Sequence, residues 1–139
     1  MKGPRLRTRG EYEAELLKLF MHSLKKTFGR GASQGRVLVI QDLVIFHASG
    51  VLHSAEQRLA LQPESPLVAP LMRVLRHELV QASRQDLQKQ FEPILGVAIA
   101  SIFSDLDIVR GEAVMVLRLE KPVYVELQES DRDGGETIL

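Results

Sequence analysis

The chain has 139 residues, 45% of them apolar and 26% charged, with 18 basic residues balanced by 18 acidic ones. One domain of that length buries roughly two thirds of its unfolded surface, and the composition is globular rather than disordered. The lack of cysteine excludes disulfides, thiolate metal centres and thiol nucleophiles, and no apolar run reaches the ~18 residues of a membrane span.

The N-terminus is basic with no apolar segment behind it, so a secretory signal is not expected and a cytoplasmic location is. Charge is unevenly placed. Residues 1–36 carry nine Lys/Arg against three Glu, whereas residues 105–139 carry four Lys/Arg against nine Asp/Glu. The expected organisation is a basic tail over 1–10, one α+β domain over 11–121, and an acidic, disordered tail over 122–139.

In chain order, residues 11–28 predict a helix. Leu16, Leu17, Phe20, Met21, Leu24 and Phe28 recur at three- and four-residue spacing. Glutamates open it and lysines close it, as the helix dipole favours, and Gly29 or Gly31 ends it. Residues 37–40 and 43–46 are branched and apolar, and the two residues Gln41-Asp42 between them predict a hairpin. Ser54-Ala55-Glu56-Gln57 has the form of a capping box for a short helix through Leu61.

A proline-marked turn, Gln62-Pro63-Glu64-Ser65-Pro66, then leads into one long helix reaching about Phe91. Its stripe is Leu67, Leu71, Val74, Leu75, Leu79, Ala82 and Leu87, and Pro93 and Gly96 close it. Residues 96–104 and 112–119 predict a second hairpin around 105–111. The order α-β-β-α-α-β-β predicts a four-stranded, largely antiparallel sheet of two hairpins, with two long helices and one short one.

A sheet with one wet face alternates apolar and polar residues. Here Val37, Leu38, Val39 and Ile40 are all apolar, as are Val114, Met115, Val116 and Leu117. Both faces therefore look buried. A second copy is expected to cover what the helices leave, giving a homodimer through a sheet face.

Chemistry is sparse. His22, His47, His53 and His77 form no metal-binding pattern, and Gly-x-Ser-x-Gly is absent. Asp105, Asp107 and Glu112 are weak metal candidates, and a solvated hairpin tip is the favoured reading of them. No cofactor and no catalytic constellation is expected. Specific nucleic-acid binding is not expected either, because there is no Gly-x-x-Gly loop between the paired helices and only 5% aromatic content. The glycine-arginine joint Phe28-Gly29-Arg30-Gly31-Ala32-Ser33-Gln34-Gly35-Arg36 has two readings. Amides at Gly29 and Gly31 with the side chains of Arg30 and Arg36 suit a phosphate or carboxylate. Alternatively, the glycines cap the helix and the arginines face solvent.

Phe28-Gly29-Arg30-Gly31, then Gly50-Val51-Leu52-His53-Ser54-Ala55-Glu56-Gln57-Arg58-Leu59, then Ser104-Asp105-Leu106-Asp107 opening the last hairpin, resembles the MpsC-like family over roughly residues 11–120. Ala32 stands where that family has proline, and His53-Ser54 where it has threonine and proline. The resemblance implies the small soluble component of a bacterial membrane-potential-generating system, linked to cation translocation and inorganic-carbon uptake. It brings no catalytic residues. The expected function is thus a non-enzymatic, cytoplasmic accessory or regulatory protein with a membrane-complex partner. The alternative is a small-anion or nucleotide-type ligand sensor using the loop Gly29–Arg36.

Overall fold

Apolar residues at helical spacing build α1 (Arg9–Phe28), and two apolar runs either side of Gln41-Asp42 build β1 (Gln34–Ile40) and β2 (Leu43–Ser49). They are followed by α2 (Ser54–Ala60), α3 (Val68–Ala82), α4 (Arg84–Leu95), β3 (Ile99–Asp107) and β4 (Glu112–Leu119). This is a computed structural model, and it describes residues 7–62, 64–123 and 125. The expected α+β class and four-stranded antiparallel sheet are present. Most of the two expected tails, residues 1–6 and 126–139, lies outside the described residues.

Among the boundaries that differ from expectation, three in the helices have a local reason. Helix α1 begins two residues early because Thr8 and Glu11 form a reciprocal cap: Thr8 Oγ1 accepts from Glu11 N at 3.1 Å, and Thr8 N donates to Glu11 Oε1 at 3.2 Å. The cap of α2 shifts to His53, whose Nδ1 accepts from Glu56 N while Glu56 Oε1 accepts from His53 N. The long helix is two helices. Ser83 leaves helical geometry at φ −89° and ψ 2°, and its Oγ donates back to Leu79 O, so α3 and α4 are separate.

All pairings are antiparallel, and the strand order is β1-β2-β4-β3. The helices cover one face. Val37, Val39, Val44, Phe46, Leu106, Leu117 and Leu119 point under them and are buried. At the centre, Phe20 of α1 stacks on Phe46 of β2 and meets Phe91 of α4, both with ring centroids 4.5 Å apart. Gly35 lets α1 come close to β1: a Cβ there would stand 2.9 Å from Met21 Sδ and 3.2 Å from the Phe46 ring.

The opposite face carries no helix. Leu38, Ile45, Val116 and Phe103 stand in register across all four strands, in the order β1, β2, β4, β3. Leu38 is 45% exposed and Phe103 57%.

Candidate functional site

Two features bring side chains together: this bare sheet face, and a buried ion pair beneath the helices. On the bare face, neighbouring cross-strand rows differ in character. The row Arg36–His47–Val114–Asp105 is basic at the β1 edge and acidic at the β3 edge. Beside it lies the fully apolar row of Leu38, Ile45, Val116 and Phe103. The row beyond that is Ile40–Leu43–Arg118–Ser101. The face is thus an apolar stripe with Arg36 and Asp105 at opposite edges of the row on one side and Arg118 in the row on the other.

Under the helices, the guanidinium of Arg76 grips Glu56 through two hydrogen bonds, Nη2 to Oε1 at 2.7 Å and Nε to Oε2 at 3.1 Å. Nη2 also donates to Val51 O at 2.9 Å, and the guanidinium lies 4.4 Å from the centroid of the Phe28 ring. Burial pushes the Glu56 carboxyl up, but the Arg76 and His53 hydrogen bonds and the Arg76 charge outweigh it, so the group sits below its ordinary pKa. The pair ties α3, α2, the β2–α2 loop and the end of α1 together. Charged groups so buried contribute position more than net stability, and losing one partner is costly. Sequence spacing carries no sign of it, because the partners lie 20 positions apart on different helices.

The residues singled out from sequence are distributed as follows. Gly29 is the left-handed cap of α1 at φ 78°, donating its N–H to Lys25 O at 2.8 Å. Gly31 follows in the loop and Arg30 is exposed there, while Arg36 lies on the bare face beside His47. The loop follows a helix C-terminus, whose dipole end is negative and does not attract an anion. Asp105 and Asp107 belong to β3 rather than to the hairpin tip, and Asp107 pairs with Glu112 across the ladder. Asp105 Oδ1 accepts from Leu106 N and Asp107 Oδ1 from Arg110 N. Glu112 Oε1 lies 3.8 Å from His47 Nε2. Among the described residues, no three His, Asp or Glu side chains form a group able to hold a metal ion.

A correction concerns α3. Its expected core stripe included Leu67, Leu71, Val74 and Leu75, yet these are exposed; Met72, Arg76 and Val80 face inward instead. The helix has apolar residues on two sides, so periodicity alone did not say which side meets the sheet.

The family model described as "Na+-translocating membrane potential-generating system (MpsC)" matches residues 8–121. The chain belongs to the MpsC family. The chain is also similar to the uncharacterized protein YbcI of Bacillus subtilis (strain 168), 28% identical over 113 residues, which span 81% of this chain and 89% of that protein. No solved structure matches the chain. Among the described residues, no helix is long and apolar enough to cross a membrane.

Proposed function

We propose that this MpsC-family chain is a non-enzymatic accessory protein on the cytoplasmic side of a membrane ion or inorganic-carbon transport system, and that it works as a homodimer. The observation that carries the proposal is the bare sheet face with its in-register apolar row. Contiguous exposed apolar surface of this kind marks an interaction site. Its occupant is a second copy, for a reason of charge.

Turning a second molecule about a twofold axis parallel to the strands, between β2 and β4, lays β1 over the partner's β3. Arg36 then faces an acidic edge where Asp105 repeats, Leu38 meets the apolar position of Phe103, and Ile45 that of Val116. A twofold across the strands would instead set Arg36 over the position of Ile40, burying a charge without a partner. The first arrangement matches Arg36 with an acidic edge and the apolar row with itself, and it leaves exposed Arg118 over the partner's Leu43 in the third row; aligned sheets pack with their strands within about 30° of one another.

The exposed stripe of α3 lies on the other side of the molecule. Its Leu67, Leu71 and Leu75 remain available to a different protein, and the family description supports a membrane component as that protein.

Light scattering at micromolar concentration tests the dimer. The expected mass is twice the 15.6 kDa of one chain, falling to one chain in Ile45→Lys and Val116→Lys with circular dichroism unchanged. A wild-type monomer refutes the dimer. For the partner, the chain co-expressed with the membrane subunits of its own system should co-sediment with membranes. Leu71→Glu with Leu75→Glu should release it, and retention of that variant refutes the role of α3.

The anion-sensor reading retains one supporting observation: neither Arg30 nor Arg36 has an ion pair among the described residues. A phosphate- or bicarbonate-induced rise in melting temperature that Arg30→Ala abolishes would favour it.

A further inference from the structure

The helix layer does not close over the sheet. Where the end of α1 and the middle of α3 diverge, a cavity of about 320 Å³ opens, with Leu24, Phe28 and Val80 on the helix side and Phe46, Leu106 and Met115 on the sheet side. Its size lies at the low end of the roughly 300–1,000 Å³ that ligand sites occupy. The cause is local sequence. In the inward-facing positions of β3 and β4, Ser104 and Ala113 stand where larger apolar residues would fill the space. The gap is a property of the fold's own side chains, and it lies on the face of the sheet opposite the proposed dimer interface.

Two polar features border this apolar space. Arg73 Nε donates to Leu106 O at 3.2 Å, which holds the guanidinium at the cavity wall, and its remaining nitrogens have no partner among the described residues. A nook of about 20 Å³ shares Leu24, Phe28, Phe46, Val80 and Met115 as walls. Ser23 Oγ in that nook is buried and is the one buried side-chain polar atom left without a hydrogen-bond partner among the described residues. An unmatched buried hydroxyl is costly, so a polar atom reaching the nook from outside would be favoured there.

Charge then selects the ligand. The rim carries Arg73, and Arg76 is already neutralised by Glu56. Opposing them are Asp105 and Glu78. A carboxylate or phosphate head would meet two acids, and an ammonium would meet Arg73. An uncharged acceptor avoids both charge clashes and meets the free donors of Arg73, with His77 and the Ser104 hydroxyl also on the lining.

We propose that this cavity binds a small uncharged apolar molecule carrying a hydrogen-bond acceptor, such as a ketone or ester, with the acceptor on Arg73. This goes beyond the accessory role and is argued for a single chain, in which Asp105 at the β3 edge is in no ion pair among the described residues.

The test is an amide-resolved NMR titration of the full chain with octan-2-one, octanoate and octylammonium. Octan-2-one should perturb amides around Val80, Leu106 and Ala113, and bind at least about tenfold more tightly than either charged analogue. Arg73→Met, on the exposed side of α3, should weaken octan-2-one about fivefold, the loss of one hydrogen bond. Ser104→Leu, which fills the floor, should abolish binding while the spectrum stays dispersed. Absence of any perturbation, perturbations confined to the bare sheet face, equal binding of octanoate, or an unchanged affinity in Arg73→Met would each overturn the proposal. If Ser104→Leu loses dispersion, the Arg73→Met comparison alone decides.

Discussion

The two faces of the sheet are built from the same strands and differ by one position in each, yet only one is covered. Val37, Val39, Val44, Phe46 and Leu117 lie under helices, whereas their neighbours Leu38, Ile45, Val116 and Phe103 lie bare. Apolar content is therefore not what separates inside from outside in this molecule. A strand that faces water on one side is normally polar at alternate positions. Here the central row of the bare side is apolar, with Arg36 and Asp105 in the row beside it.

The largest effect that breaks this comparison is expected at the covered face. Phe20→Ala removes the ring between Phe46 and Phe91 and should cost about 3–5 kcal/mol in urea unfolding. At the bare face the loss should depend on concentration: Phe103→Ala should lower the melting temperature clearly at high protein concentration and little at high dilution, because binding that is absent from the unfolded state stabilises by mass action. A concentration-independent loss would place Phe103 in the monomer's own core.

The buried pair under the covered face supplies a pH signature. Glu56 sits below its ordinary value near 4.5, so its contribution is fully present above that value and is lost as pH falls through the lower folded-state value. The urea midpoints of the wild type and Glu56→Gln should accordingly differ by a constant amount above pH 4.5 and converge as pH falls below it. A difference that stays constant below pH 4.5 as well would remove Glu56 from the acid response. The smallest effect is expected at the edge of the helix layer, where Thr8→Ala should cost about 1 kcal/mol through the lost cap.

Much of this architecture is legible in the sequence. Strand β4 occupies the expected residues 112–119, the Gln41-Asp42 turn joins β1 and β2, and the inward residues Leu16, Phe20 and Leu24 of α1 follow its apolar spacing. The apolar run on both strand faces predicts that both are buried, whereas only one lies under helices and Leu38, Ile40 and Phe103 of the other are exposed. The break at Ser83 is not legible, because the apolar spacing of Leu79, Ala82 and Leu87 runs straight through it. Nor is the cap of α2, since His53 is an uncommon cap and Ser54 looks better by composition. The Arg76–Glu56 pair and the cavity arise from tertiary packing between segments distant in the chain, and local pattern does not encode them.

The strand order has a consequence for how the chain is made. Strand β4, last in sequence, lies between β2 and β3, and its final residue donates from Leu119 N to Asp42 O while Val123 N donates to Gln41 O. Until residue 119 has left the ribosome, β3 has no neighbour and β2 has an open edge. The first hairpin and the helices must wait as an incomplete layer, and the closing of the sheet is a single late, long-range event. A chain cut before β4 would therefore expose pairing edges in addition to the apolar face.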